Sequence, residues 1–295
     1  MLRWHEDRDR FGEALSFTEA ETMFPARLVE KDYFCTALLE YLSGKAPGLV
    51  FKGGTCLAKV HANFFRLSED LDYVIPVAAE STRTERRKLI SPMKEAFAVL
   101  AGALPCFQIQ KPLEGANNST QYVGSVSYRS LGTGQQETIK IEVALRESLL
   151  TPPILAEART ALLNPVTEKA MIAPIKLLCL SRTEAFAEKF RAALSRREVA
   201  ARDFFDLDYA VRKLGLRADD AGLIGLVRQK LAVPGNAPVD VSETRLDALR
   251  QQLEPQLRAV LREPDFREFD LERAFGRVRA MAVALNLASP ALPAR

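Results

Sequence analysis

The sequence predicts an α+β protein, with a mixed β-sheet flanked by helices in residues 1–150 and a mainly helical domain in residues 151–295. Three observations support this architecture. Several segments before residue 150 alternate apolar and polar residues as strands do, and others repeat apolar residues at helical spacing. After Pro152-Pro153 almost only the helical spacing remains, so these prolines are the predicted domain boundary.

The elements of the first domain follow from these two periodicities. Helical spacing predicts helices over 11–24, 27–43, 56–65 and 82–101. Short apolar runs and alternation predict strands over 49–51, 67–76, 105–111, 121–129 and 137–146. Asparagine and glycine turns separate the last three strands, so we expect antiparallel hairpins there.

The second domain is predicted from caps as well as from periodicity. Ser181-x-x-Glu184 has the pattern of a capping box, which marks the start of a helix. Helices are predicted over 183–197, 202–214, 219–231, 242–262 and 270–286. Residues 288–295 are expected to fray.

Composition excludes several classes of protein. The chain contains no run of about 18 apolar residues, and its charged N-terminus has no signal-peptide core, so we expect a cytoplasmic protein outside the membrane. Two histidines, His5 and His61, argue against histidine-based catalysis. The four cysteines form no CxxC pair, so we expect single buried thiols rather than a zinc site or disulfides.

The charge balance says little about partners. The net charge is +3, and residues 151–295 carry 23 basic against 19 acidic residues, whereas residues 1–150 carry 18 against 19. This mild asymmetry permits an RNA-binding surface in the second half without establishing one.

One stretch, residues 51–75, has parts that fit a single chemical task. Gly53-Gly54 lets the backbone approach a ligand closely, and Thr55 begins a helix whose free N–H groups suit a phosphate. Asp70 and Asp72 alternate on a strand, so both carboxylates project from one face. Adjacent carboxylates repel unless a cation lies between them, and oxygen ligands favour a hard ion such as Mg²⁺ or Mn²⁺.

Each half of this pattern has an ordinary structural interpretation. A glycine pair before a helix is more often a simple turn, and an acidic pair is equally often a solvated strand face. Their joint occurrence on consecutive elements favours a site for a metal-bound nucleotide.

The same residues resemble a known family. GGTxLxK followed by RxSEDLD is similar to the signature of the AbiEii/AbiGii-type toxin nucleotidyltransferases, within the DNA polymerase β-like nucleotidyltransferase superfamily. VEKDYF at 29–34 and the stretch 188–207, which contains RDFFDL, resemble two further motifs of that family. The resemblance implies a nucleotidyltransferase-type mixed sheet, with a helical second domain that completes the active site.

The resemblance assigns roles to individual residues. It implies that Asp70 and Asp72 bind metal and that a third carboxylate lies on a later strand. Glu142 is the candidate, because it faces opposite to Ile141 and Val143, which we expect in the core. The alternative is an exposed strand glutamate, and Asp is more usual at that place. It implies that the triphosphate contacts are Ser68, Gly53, Gly54 and Thr55. Lys52 flanks the glycine turn and is included with these, whereas Lys59 is expected to cover surface.

A later motif supplies the remaining catalytic candidates. Lys189 and Asp203 match it, and a lysine near the triphosphate would neutralise charge on the departing pyrophosphate. Asp203 could hold Lys189 or Arg202 in place, and Asp206 is expected on the helix surface or in a cap. The arginines of the same region either contact RNA or form intrahelical ion pairs; they are Arg191, Arg196, Arg197 and Arg202.

The expected reaction is metal-dependent transfer of a nucleoside monophosphate from an NTP to an acceptor hydroxyl. The resemblance implies the toxin of a toxin–antitoxin pair, with the tRNA 3′ end as acceptor and a cognate antitoxin as possible partner. Two alternatives stay open. One is an enzyme of the same fold that modifies a protein, a small molecule or itself, and the other is a nucleotide-binding module without catalysis.

Overall fold

The structure, a computed structural model, describes residues 3–287, and the predicted fraying of residues 288–295 lies outside the described residues. The chain divides into two compact units between Leu180 and Ser181. The predicted boundary at Pro152-Pro153 therefore lies too early. Two strands that follow these prolines belong to the sheet of the first unit, and their short sequences carry no clear period.

The first unit contains a mixed sheet and the helices packed against it. Its helices are α1 (Arg8–Thr22), α2 (Ala26–Leu42), α3 (Gly53–Cys56), α4 (Arg83–Ala98) and α5 (Leu100–Ala103), with a 3₁₀ turn at Trp4–Glu6 and a π-helical turn at Leu57–His61. Its strands are β1 (Val50–Lys52), β2 (Leu71–Val74), β3 (Phe107–Ala116), β4 (Gln121–Arg129), β5 (Gln136–Ala144), β6 (Ile154–Ala158) and β7 (Ile175–Cys179). The predicted helix over 56–65 ends early, because Asn63 and Phe64 adopt positive φ angles.

The strands lie in the order β3-β4-β5-β2-β1-β7-β6 within the described residues. β3, β4 and β5 pair antiparallel, as the hairpin prediction requires. β2 is central: it pairs antiparallel with β1 and parallel with β5, which makes the sheet mixed. β7 runs parallel to β1 and pairs with β6.

Helix α2 is buried over most of its surface, including three consecutive charged residues of the VEKDYF motif. The Glu30 carboxylate accepts hydrogen bonds from Ser130 Oγ and Leu131 N, both at 2.6 Å. Lys31 Nζ pairs at 2.9 Å with Glu69, which lies two residues before β2, the strand that carries Asp72 and is called the acidic strand below. Buried charges of this kind need partners, so the motif joins α2 to two other parts of the unit.

The third charged residue, Asp32, forms an ion pair inside the core. Lys59 Nζ lies 2.6 Å from Asp32 Oδ1 and 2.7 Å from Thr36 Oγ1. The other carboxylate oxygen accepts from Ala161 N at 2.9 Å. Lys59 has no exposed surface, so the expectation that it covers surface is wrong; its partner on α2 could not be seen from the sequence around the glycine turn.

In the second unit the described residues form helices joined by loops, with no strand. Its α-helices are α6 (Arg182–Ser195), α7 (Ala201–Lys213), α8 (Ala221–Ala232), α9 (Glu243–Arg250), α10 (Glu263–Glu268) and α11 (Leu271–Ala284). The predicted helix over 242–262 is broken into α9, a π-helical turn at Leu253–Leu257 and a 3₁₀ turn at Arg258–Val260. Pro255 lies at the break, where it lacks the N–H that a continuous helix needs.

Buried ion pairs link the helices of this unit. Ser181 caps α6 by accepting from Glu184 N, while the Glu184 carboxylate pairs with the buried Lys230 of α8 at 2.8 Å. On α7, the buried Asp208 pairs with Arg273 and Arg277 of α11, at 2.8 and 3.0 Å. In residues 3–287, no helix is both long enough and apolar enough to cross a membrane.

Replacement of Lys59 by methionine should strongly destabilise the protein, because it leaves the Asp32 carboxylate buried without its cation. We expect the free energy of unfolding to fall by about 3–5 kcal/mol in urea denaturation. Lys88→Met, at an exposed position on α4, is the matched control and should change it by less than about 0.5 kcal/mol. Equal losses in the two variants would contradict the role given to Lys59.

Candidate active site

The glycine turn lies directly against the acidic strand. β1 ends at Lys52, and Gly53 has a φ angle of +78°, in the left-handed region that favours glycine. A Cβ at Gly53 would lie 2.9 Å from Cβ and Cγ of Asp72 and closer still to its Oδ2. Gly53 therefore leaves the space that the Asp72 carboxylate occupies.

Strand register aligns the acidic residues across three strands. Asp72 of β2 is the Cα partner of Lys52 on β1 and of Glu142 on β5. Partners in register point to the same face of a sheet, so Lys52, Asp72 and Glu142 share one face. Asp70 lies one residue before β2, and its charge helps to raise the pKa of Asp72, so it lies close to this face. All four side chains are partly exposed. The structure thus brings Asp70, Asp72, Glu142 and Lys52 together.

The electrostatics of this group are those of carboxylates held close together. Burial and the nearby Glu142 raise the pKa of Asp72, and Lys52 only partly offsets them. Burial would also raise the pKa of Glu142, but its hydrogen bonds with Lys140 and Gln121 outweigh burial and lower that pKa. Three carboxylates in this arrangement are suitable oxygen ligands for a hard divalent cation, which would remove their repulsion.

Glu142 is held by two neighbours that the sequence analysis did not single out. Its oxygens accept from Gln121 Nε2 and Lys140 Nζ, each at 2.8 Å. The alternation of β5 places Lys140 and Glu142 on the same face, and this signal could have revealed the lysine. Lys140 and Lys52 supply positive charge beside the acids in this structure.

The residues around Gly54 divide into ligand candidates and structural supports. A Cβ at Gly54 would lie 2.5 Å from Arg66 Nη2 and 3.2 Å from Ser68 Oγ, so both side chains lie against the turn. Arg66 is buried and was not predicted, although it begins the RxSEDLD motif. The Thr55 hydroxyl, expected at the triphosphate, donates instead to the backbone oxygen of Asp70. Thr55 thus fastens α3 to the acidic strand.

Lys189 and Asp203 form a separate cluster in the second unit. Lys189 Nζ lies 2.8 Å from Asp203 Oδ1 and 2.7 Å from Asp206 Oδ2, and Arg196 pairs with the other Asp203 oxygen at 3.0 Å. Burial alone would raise the pKa of Asp203, but Lys189 and Arg196 outweigh it and lower the pKa to about 2. Asp206 is fully buried, so its expected place on the helix surface is wrong.

Comparison with known proteins gives two kinds of finding. The family profile described as "Nucleotidyl transferase AbiEii toxin, Type IV TA system" matches residues 37–279. Among solved structures, the chain is similar to MenT4, a nucleotidyltransferase toxin from Mycobacterium tuberculosis H37Rv, with 21% identity and a TM-score of 0.59 over 98% of this chain and 91% of that chain.

A weaker likeness is to JHP933 from Helicobacter pylori, with 16% identity and a TM-score of 0.49 over 88% of this chain and 91% of that one. No curated protein matches the sequence. The MenT4 likeness shows a shared fold and confirms the predicted class, a nucleotidyltransferase-type mixed sheet followed by helices.

Replacement of Gly53 by alanine should displace the Asp72 carboxylate in addition to straining the backbone. The control is Gly44→Ala, since Gly44 has a φ angle of +77° and no heavy atom near an added Cβ. The left-handed φ angle should lower the free energy of unfolding of each variant by about 1–2 kcal/mol, as measured by urea denaturation. Only Gly53→Ala should lose more than this, and equal losses would show that the Asp72 contact is not tight.

The lowered pKa of Asp203 predicts how stability depends on pH. A carboxyl whose pKa falls from 3.8 to about 2 on folding stabilises the protein above its unfolded pKa, and this contribution is lost as pH falls through the folded one. Between pH 5 and pH 2, wild type should lose roughly 2 kcal/mol more unfolding free energy than Asp203→Asn. Asp219→Asn, at an exposed position, should follow wild type; an Asp203→Asn curve parallel to wild type would contradict this.

Proposed function

Because the chain belongs to the AbiEii family of nucleotidyltransferase toxins, we propose that it transfers a nucleoside monophosphate from an NTP to the 3′ end of tRNA. The acceptor hydroxyl attacks the α-phosphorus, the bond to the β-phosphate oxygen breaks, and pyrophosphate leaves. The observation that carries the proposal is the convergence of Asp70, Asp72 and Glu142 beside Gly53.

The acidic face, which consists of Asp70, Asp72 and Glu142, and the glycine turn supply the two halves of a triphosphate site. Asp70 and Asp72 would hold the divalent cation that enzymes of this kind use, with Glu142 as a third ligand. Such a cation, Mg²⁺ or Mn²⁺, would neutralise phosphate charge and help ionise the attacking hydroxyl. Gly53 and Gly54 leave the backbone open to phosphate oxygens, and Ser68 lies close enough to Gly54 to donate to the same group.

The protein's own cations stabilise the charge that moves during the reaction. Lys52, opposite Asp72 on β1, is placed beside the acidic face, where it can contact a phosphate of the bound nucleotide. Lys189 is the proposed partner of the departing pyrophosphate. Asp203 and Asp206 restrict the Lys189 ammonium to one position, which suits a positioning role for both aspartates.

The proton of the attacking hydroxyl needs a nearby base. Asp72 fits this task because it lies in register with Glu142 on the face that would hold the cation and the attacking hydroxyl. Glu142 is the second choice, since its hydrogen bonds with Lys140 and Gln121 favour the charged form.

The acceptor is proposed from charge on the second unit. Of the four arginines noted in the sequence, Arg191 pairs with Glu188 and Arg196 pairs with Asp203, at 3.0 Å each. Arg197 and Arg202 are exposed and form no ion pair within the described residues. They are the arginines available for phosphates of a nucleic acid. We propose tRNA as acceptor, a cognate antitoxin as protein partner, and the cytoplasm, where NTPs and tRNA occur, as the site of action.

Incubation with α-³²P-labelled NTPs and tRNA in Mg²⁺ or Mn²⁺ tests the reaction. We expect label at the tRNA 3′ end, loss of labelling with EDTA, and a decrease of more than about 100-fold in Asp70→Asn. Glu80→Gln, which changes an exposed acid, should label tRNA at the wild-type rate. γ-³²P-labelled NTP should release labelled pyrophosphate and leave the tRNA unlabelled, because the β–γ bond stays intact.

Three outcomes would contradict the proposal. Label in protein but not RNA would indicate an enzyme that modifies a protein or itself. NTP binding without transfer to any acceptor would indicate a nucleotide-binding module. Equal labelling by Asp70→Asn and wild type would remove the acidic face from the mechanism.

A further inference from the structure

Two cysteines and a histidine converge behind the glycine turn. The Sγ atoms of Cys56 and Cys179 and a ring nitrogen of His61 all lie within 4.8 Å of one another. Both cysteines are buried and His61 is partly exposed. All four cysteines are free, as expected, but the expectation that each thiol is isolated is wrong for this pair.

The π-helical turn explains why these residues meet. Cys56 ends α3, and His61 ends the turn Leu57–His61, five residues later. In an α-helix, residues five apart point to different sides, because each residue rotates by about 100°. A π-helical turn closes bonds between residues five apart, so it brings such residues towards one side. Cys179 reaches them from the end of β7, where it is the Cα partner of Phe51.

We propose that Cys56, His61 and Cys179 bind a thiophilic divalent cation, Zn²⁺, with an exchangeable water as its fourth ligand. Two sulfurs and one imidazole nitrogen form a ligand set that zinc favours and Mg²⁺ does not. Atoms within 4.8 Å of one another need to move inward by only about 1 Å to reach tetrahedral zinc distances. The partly exposed histidine gives the ion and the water a path from solvent.

A hydrogen bond on the far side of the ring supports this assignment. His61 Nε2 lies 3.0 Å from the backbone oxygen of Leu180. A carbonyl oxygen can only accept, so Nε2 carries the proton and Nδ1 has the free lone pair. Histidines that bind metals usually donate their second ring N–H to such a carbonyl or to a carboxylate, which fixes the ring orientation.

Zinc binding needs both sulfurs as thiolates. The thiolate is the form of cysteine that binds metals, and the Sγ atoms of Cys56 and Cys179 lie close enough together to share one ion. Coordination by Cys56 would release its proton, because a metal ion replaces it on the sulfur.

The bound ion would hold the glycine turn in place. It would connect the end of α3 to the end of β7, and Leu180, the next residue, donates its N–H to the Phe51 carbonyl of β1. Gly53 and Gly54 lie between these attachment points. The ion would therefore act on the position of the glycine turn, and its ligands are distinct from the carboxylates of the acidic face.

Cobalt substitution tests the proposal without use of the enzymatic activity. The full chain, reduced and with its four free thiols confirmed, is titrated with Co²⁺ in excess Mg²⁺. We expect the visible absorption bands of tetrahedral thiolate-bound cobalt, with one ion per chain, and their loss when Zn²⁺ displaces Co²⁺. Cys179→Ala and His61→Gln should each weaken Co²⁺ binding by about 100-fold or more.

The controls separate this site from the others. Cys35→Ala removes another buried thiol and should keep the bands, as should Asp70→Asn, which disables the acidic face. Circular dichroism checks that each variant is folded, and His61→Gln, at the least buried ligand, remains informative if Cys179→Ala fails to fold. Absence of the bands in wild type, or undiminished bands in His61→Gln, would overturn the proposal.

Discussion

Mutual repulsion among neighbouring carboxylates governs how the candidate active site is built. Asp72 lies in register with Glu142 and close to Asp70, and burial together with these two charges raises the pKa of Asp72. The opposite face of the same two strands compensates for the repulsion, because the alternate residues are buried in the core: Leu71, Tyr73, Ile141 and Val143. A cation bound at the acidic face would remove this repulsion. The carboxylates that repel one another when no cation is bound would therefore favour metal binding.

The segment after the glycine turn must be held firmly if the turn is to stay against Asp72. Two attachments serve this purpose. Thr55 fastens the start of the segment to the Asp70 backbone, and Lys59 fastens its later part to Asp32 inside the core. An isolated buried charge costs several kcal/mol, so the Asp32–Lys59 pair forms only when α2 and the turn are both in place. This requirement makes the geometry of the site a consequence of core assembly rather than of local loop conformation.

Sequence analysis could predict the parts of this protein that depend on local pattern. The alternation of β4 gave its bounds, Gln121–Arg129, without error. The strand predicted over 67–76 is shorter, Leu71–Val74, so Asp72 lies on it and Asp70 just before it. What it missed depends on contacts between distant segments. β6 and β7 are too short for a period to be recognised, and Lys59 resembled a surface lysine until Asp32 was placed beside it. The predicted α-helix over 56–65 would place Cys56 and His61 on different sides, whereas the π-helical turn brings them to one side.

The two proposed cation sites lie on adjacent segments and differ in ligand chemistry, which bears on how each would select its ion. Zn²⁺ binds most oxygen and nitrogen sites more tightly than Mg²⁺ or Mn²⁺ does, so the affinity of a carboxylate site alone would not exclude it. A nearby thiolate–imidazole site changes this balance, because it offers Zn²⁺ much better ligands, whereas Mg²⁺ gains nothing from sulfur. Cys56 is only three residues beyond Gly53, and both belong to the short helix α3. The site at Cys56 offers sulfur and nitrogen ligands, whereas the site beside Gly53 offers carboxylate oxygens. Sorting of ions by ligand type would therefore leave the acidic face to the hard cation that accompanies a nucleotide.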